Sequence, residues 1–455
     1  MDKELVRLLI RLLGEKRVFT ERADLISYCL DYSSWPSYEE SVSLPLAVVL
    51  PETTEEVAEI VKLAVKHRTP IVPRGGGSSQ VGGVIPIEGS IVLSTARMNK
   101  IIEIDPTNLM VTAQPGVNLK EMDDLLSPQG LILGQEQGSY KVACLGGAVS
   151  TNGYSMRHNR YRNIGDNVLS LEVVLGDGRI LRTGRKVASN SSGYPLHKIF
   201  VGAEGTLGII TELTLRVAPK PEKEVAMGAL FDSWESVEKT CLRIMQSGVG
   251  YTGGYGARSR YEGFDEIVNI IFVTLEGTAG EVDAQEMKID EIFKRNGGKR
   301  IDREMADDIR NSHIMMWCGD PHPELSIEDL VAVMPLQYYD EAFARMEREV
   351  FPKYGFATDD ESNRVIGLGT RPLACFNFLY DPKKLPLPKL QEAFGEMMRI
   401  VAEYGGAGPG CHAVGMLLRD CMEIEHDPVR LGVMREMKSL FDPHNIMNPG
   451  KKIRI

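Results

Sequence analysis

Val72-Pro73-Arg74-Gly75-Gly76-Gly77-Ser78-Ser79-Gln80-Val81-Gly82-Gly83 is the stretch on which the reading of this chain turns. Its five glycines and two serines leave a run of main-chain amides bare of bulky side chains. Such a loop wraps an anion, because glycine reaches positive φ freely and lets the backbone approach. Arg74 and the hydroxyls of Ser78 and Ser79 add charged and neutral donors suited to a pyrophosphate. The alternative is a surface loop built from turn residues. Two common cradles are excluded. A dinucleotide fingerprint needs its third glycine at Gln80 and a helix after it, whereas Gly82-Gly83-Val84-Ile85-Pro86 is hostile to helix. A P-loop needs Lys-Ser or Lys-Thr after its last glycine, and none follows Gly82 or Gly83.

Working outward, residues 46–50 predict a buried strand. Thr53 and Glu56 form a capping-box pattern, and Val57, Ile60, Val61, Ala64 and Val65 share one helical face. Residues 69–73 return as a strand and deliver the glycine loop at its end, where ligands of α/β sheets bind. A second small-residue stretch runs from Leu145 to Tyr154, where small side chains let the backbone approach a flat ring. Gly176-Asp177-Gly178 marks a hairpin between strands at 168–175 and 179–182. A third glycine turn, 204–208, feeds an alternating strand over 210–217.

These segments resemble the FAD-binding oxidases of the vanillyl-alcohol oxidase and p-cresol methylhydroxylase superfamily. They are most similar to the branch of glycolate oxidase flavoprotein subunits and D-lactate dehydrogenases. The resemblance rests on Ala47-Val48-Val49-Leu50-Pro51, Thr54-Glu55-Glu56-Val57, Pro73-Arg74-Gly75-Gly76-Gly77, Gln114-Pro115-Gly116-Val117 and Gly146-Gly147. It continues through 202–210 (Gly-Ala-Glu-Gly-Thr-Leu-Gly-Ile-Ile) and the tail from Phe441 to Lys451. It covers nearly the whole chain and is weakest between residues 245 and 420.

The implied fold is α+β: a two-part PCMH-type FAD-binding domain carrying an α+β cap domain with an antiparallel sheet. An N-terminal helical segment covers 1–40, the FAD-binding domain 41–220, the cap 221–428, and a helix and tail at 429–455 return to the FAD domain. Pro219-Lys220-Pro221 is the linker candidate. The implied flavin site comprises Pro73, Arg74, Gly75, Gly76, Gly77, Ser78, Ser79 and Gly83 from the first loop, with Pro115, Gly138 and Ser139. Gly146, Gly147, Thr151, Asn152 and Gly153 come from the second stretch. Glu204, Gly205, Gly208, Ile209 and Ile210 come from the third, and Asn448 from the tail. Ile209 and Ile210 are expected at the adenine end. Relatives that tether FAD in the first loop carry a histidine there; Gly77 and Ser78 predict a non-covalent cofactor, with cap histidines such as His313 left open as tethers. Arg162 stands where the family tends to have glycine.

A flavin oxidises an alcohol by taking hydride, so the protein must orient the substrate and remove its hydroxyl proton. The hydroxy-acid branch implies a metal held by histidines, but Leu368 and Cys375 occupy those positions, and Cys411-His412-Ala413-Val414-Gly415 keeps only His412. Leucine cannot ligate a metal, so no catalytic metal is expected. His412 is the candidate base, since imidazole accepts protons near neutrality. Arg310 resembles the substrate-carboxylate arginine, and Arg371 is a second cation candidate. Tyr255, within a glycine-tyrosine stretch from Gly250 to Arg258, reads as an aromatic wall or a loop; Trp317 joins it as a pocket candidate.

With 43% hydrophobic and 25% charged residues over 455 positions, the chain has material for two cores. A net charge of −11 disfavours nucleic acid and anionic membranes. Seven scattered cysteines without a C-x-x-C pair favour reduced thiols and a cytoplasmic setting. Leu5, Leu8, Leu9, Leu12 and Leu13 predict a docked amphipathic helix rather than a leader, and no stretch is apolar enough to span a membrane. The leading reading is an FAD oxidoreductase that takes a hydride from a 2-hydroxy acid or related alcohol and passes electrons to a partner subunit or oxygen, as a homo- or hetero-oligomer. A redox-neutral transferase of the alkylglycerone-phosphate synthase type and a non-catalytic electron-carrying subunit stand beside it.

Overall fold

The strand expected at 46–50 forms over Ala47–Val49 and is buried throughout. It lies parallel to Ile91–Ser94, which is flanked on its other side by Ile71–Arg74, also parallel. The computed structural model describes residues 2–33, 43–187, 190–259, 261, 264, 266–316, 326–357, 364–369 and 373–455. Helix Thr54–His67 makes the crossover and buries Val57, Ala58, Ile60, Val61 and Ala64 against this small sheet. The capping box closes only halfway. Thr53 accepts from the Glu56 amide at 3.2 Å, but the Glu56 carboxylate takes the Glu52 amide and the Arg17 guanidinium instead of the Thr53 amide. A charge-assisted fork is the stronger partner. The N-terminal helix Lys3–Leu13 docks on the same core through Leu5, Leu9 and Leu13.

A five-stranded antiparallel sheet follows, in the order Ile101–Asp105, Met110–Ala113, Ile209–Arg216, Val168–Val174, Ile180–Gly184. Gly178, at φ 84°, makes the tight turn of its last hairpin. The expected linker is not free. Ala218–Pro219 pairs with Leu131–Ile132, and the Lys220 amide donates to the Gly130 carbonyl, which pins the crossing onto the first half of the chain.

The cap is one seven-stranded antiparallel sheet, ordered Lys299–Arg300, Lys223–Phe231, Val268–Gly277, Tyr251–Ser259, Arg364–Gly367, Leu373–Tyr380, Ser326–Val333. Helices Trp234–Gln246, Ala279–Arg295, Tyr339–Glu349 and Leu387–Glu403 bury their apolar faces in its core. The glycine-tyrosine stretch is therefore a strand and not a loop. Its Gly256 admits the Trp234–Gln246 helix, since a Cβ there would stand 2.6 Å from Cys241 Sγ.

The last helix, Pro428–Phe441, leads the tail back to the first sheet, where the Ile71 amide donates to Ile446 and the Asn448 amide to Ile71. Among the described residues no helix is long and apolar enough to cross a membrane.

Candidate functional site

The glycine loop leaves the Ile71–Arg74 strand and runs along a cleft with two connected halves that share Gly75, Ser79, Val84, Gly147 and Thr151. The nucleotide half is lined by Pro73, Arg74, Gly83, Pro115, Gly146, Glu204, Gly205, Gly208, Ile209 and Ile210. The other half is lined by Gly76, Gly77, Ser78, Gly138, Ser139 and Gly153, and by cap residues that include Tyr255 and His412. Among the described residues, the amides of Gly77, Ser78 and Ser79 donate to no protein acceptor. Unpaired amides are rare in folded chains, and a run of them around a cleft is an anion nest. Arg74 lines this cleft, but its guanidinium donates to the carbonyls of Tyr28 and Leu30 and so also ties the N-terminal segment beneath the loop. Asn152 and Asn448 line neither half. Asn152, at φ 50°, ends the Leu145–Thr151 helix, while Asn448 Nδ2 donates to the carbonyls of Gly83 at 3.1 Å and Glu204 at 2.8 Å.

The cap side of the larger half carries His412, Cys411, Cys375, Leu373 and Val365, and Tyr154, from the end of the second small-residue stretch, packs beside them. Tyr154 is half-buried, and desolvation pushes its phenol well above the ordinary tyrosine range. Its hydroxyl faces His158 Nε2 at 3.4 Å, while His158 Nδ1 donates to the Ser155 carbonyl at 3.1 Å. Burial holds the His158 ring down at about 4, so it stays neutral and Nε2 is an acceptor. Sequence reasoning did not single out this pair; its i, i+4 spacing beside the second small-residue stretch was the available signal. Trp317 and Arg371 lie outside the described residues. No three His, Cys, Asp or Glu side chains gather into a metal-holding group among the described residues.

Residues 45–184 match the FAD binding domain family, and residues 371–452 match the C-terminal domain of FAD linked oxidases. A D-lactate dehydrogenase of Archaeoglobus fulgidus is 30% identical over 90% of this chain and 91% of its own length. The chain belongs to the FAD-linked oxidases. The glycolate oxidase subunit GlcD of Bacillus subtilis is 29% identical to this oxidase, over 99% of the chain and 97% of the relative. In fold it is similar to p-cresol methylhydroxylase with substrate bound, at a TM-score of 0.79 and 21% identity over 99% of this chain and 96% of that one. An alkyldihydroxyacetonephosphate synthase superposes with a TM-score of 0.80 at 21% identity, over 99% and 86%.

FAD is the cofactor of this oxidase, and the residues present fit it. The three bare amides would hold its diphosphate, and a Cβ on Gly147 would meet nothing within 4 Å because the position faces the open cleft. A Cβ on Gly76 would instead stand 1.9 Å from the Val142 carbonyl oxygen, so the loop lies directly on the backbone that precedes the second small-residue stretch. Gln137 Nε2, buried in the larger half, has no hydrogen-bond partner among the described residues and would be free to donate to the cofactor. Arg162 of the oxidase adopts φ 59°, a backbone conformation that glycine reaches more readily.

Arg310 is not brought to His412. It pairs with Glu224 and, at 3.5 Å, with Glu136, and it lines neither half of the cleft. Arg157 joins the same group, at 3.3 Å from Glu136 and 2.8 Å from both Glu224 and the fully buried Glu276. Two cations thus face three carboxylates where the FAD domain meets the cap, so the Arg310 charge is already compensated. Burial raises the Glu276 carboxyl and Arg157 opposes that rise. Arg157→Met strands Glu276, and we expect it to cost about 3–5 kcal/mol, read as a lower urea midpoint. Glu276, with its folded value raised further, is then neutral over a wider range, so the deficit shrinks as pH falls toward the carboxylate range. A midpoint shift independent of pH would rule out the stranded carboxylate.

Proposed function

We propose that this oxidase removes hydride from the hydroxyl-bearing carbon of a 2-hydroxy acid or a related alcohol and hands the electrons to a partner subunit or to oxygen. The observation that carries the reading is the position of His412, which lines the same cleft as the glycine cradle. Bound FAD supplies the two-electron acceptor. The chain's own residues do the rest. The His412 imidazole takes the hydroxyl proton of the alcohol. Tyr154, donating to neutral His158, holds its hydroxyl in one direction at the same end of the cleft. Leu373, Val365 and Met156 keep that end apolar and exclude water.

Support for the acid class comes from relatives named as a glycolate oxidase subunit and a D-lactate dehydrogenase. Among the described residues, no Lys or Arg lines the larger half, which favours a bulkier or aromatic alcohol over glycolate itself. The same relative's designation as a subunit supports an electron-accepting partner. FAD is read as non-covalent because no histidine stands in the glycine loop.

Anaerobic titration of the yellow protein against a panel of 2-hydroxy acids and phenolic alcohols tests this reading. At least one member should bleach the flavin. Bleaching by a co-purified protein and by no small molecule would instead identify an electron-carrying subunit. A flavin left oxidised by every alcohol, in protein that turns over an ester by redox-neutral exchange, would place the chain with the transferases.

A further inference from the structure

We propose that Glu204 is a positioning residue for His412, holding the base against the FAD domain through the turn that follows it. The inference rests on the reading of His412 as proton acceptor.

Glu204 sits at φ 53° and Gly205 at φ 69°, in a region that residues with side chains avoid. The turn is fixed from both sides: the Glu204 amide donates to the Ser150 carbonyl at 2.8 Å, and Asn448 Nδ2 donates to the Glu204 carbonyl. This strained turn sends the carboxylate to the cap segment after His412, where only 4% of the side chain is exposed. There its two oxygens accept successive amides of the cap, Val414 at 3.0 Å and Gly415 at 2.7 Å. Lys452 completes the arrangement at 3.1 Å.

The receiving segment is shaped for this contact. Ala413 at φ 69° and Gly415 at φ 53° turn consecutive amides toward one point, as in an anion nest. The next two amides, Met416 and Leu417, donate to the Val81 carbonyl of the glycine loop at 2.8 and 3.2 Å. Four consecutive amides after the His412-Ala413 pair are thus held by cofactor-binding loops. Ala413 lines the nucleotide half while His412 lines the larger half. The position of the imidazole is thereby referenced to the walls of the flavin site on its C-terminal flank, while the Gly410 amide, donating to Val331 at 2.7 Å, ties its N-terminal flank to the cap sheet.

Glu204→Gln sets an amide donor against one of the two N–H groups. In FAD-saturated protein, the rate constant of substrate-driven bleaching should fall about 100-fold, the scale of a displacement near 1 Å. FAD affinity should change much less than that rate. Glu204→Asp keeps the charge and should recover part of the loss; it is carried through the same measurements if the Gln variant does not fold. The deciding test is a double-mutant cycle with His412→Ala, in which the Glu204 change should alter the residual rate less than threefold. A second readout needs no turnover: the His412 ring Cε1–H resonance in FAD-free protein should shift or broaden in the Glu204 variant. An equal loss in both backgrounds, a wild-type rate, or an unmoved resonance overturns the proposal. If His412→Ala alone bleaches at the wild-type rate, the functional reading fails instead.

Discussion

Gly147→Leu should give a folded protein that purifies without colour. Residue 147 lies inside the Leu145–Thr151 helix, so leucine replaces the poorest non-proline helix former with a good one, a gain of about 1 kcal/mol. Its Cβ meets no atom within 4 Å, so the fold has no contact to object to. The remaining side chain then fills the space common to both halves of the cleft. Flavin absorbance and thermal melting of the variant, compared with wild-type protein stripped of FAD, check this. The stripped comparison is required because bound ligand itself raises the apparent melting point. A yellow Gly147→Leu protein would remove this cleft as the flavin site.

His412→Ala should lower substrate-driven bleaching by about 10²–10⁴-fold, the range attached to a general base. Dithionite should still bleach the variant, since His412 is not part of the glycine cradle. His158 cannot take over the task, because burial holds it at about 4 and its Nδ1 proton is committed to Ser155. Its exchange for glutamine would leave any limb of the pH–rate profile near neutrality in place, whereas that limb should vanish with His412. Full bleaching rates in His412→Ala would leave the hydroxyl proton to some other acceptor.

The parts of this site that were legible in the sequence are those written in local backbone chemistry. The bare amides at Gly77 to Ser79, the hairpin at Gly178 and the turn at Glu204-Gly205 each follow from glycine at a position that needs left-handed backbone or close approach. Arg162 showed the same logic in reverse, as a side chain where the φ of 59° favours glycine. What misled was glycine serving packing. Gly256 belongs to a strand because the Trp234–Gln246 helix lies almost on its backbone, and a stretch of glycines and tyrosines does not announce such a neighbour. Arg310 was misjudged for a different reason: its carboxylate partners, Glu136 and Glu224, stand far away in the chain, and no local pattern says that a cation is already neutralised. Glu204 was legible as part of a nucleotide turn, but its grip on Val414 and Gly415, some 210 positions later, was not.

The return of the tail has a consequence for a shortened chain. Asn448 and Lys451 hold the carbonyls of Gly83 and Ile85, and Met447 bridges to Ile71. Residues 447–451 follow every strand of both antiparallel sheets in the chain. A chain cut before Met447 therefore keeps all of those strands and loses the ties that fix the carbonyl side of the glycine loop.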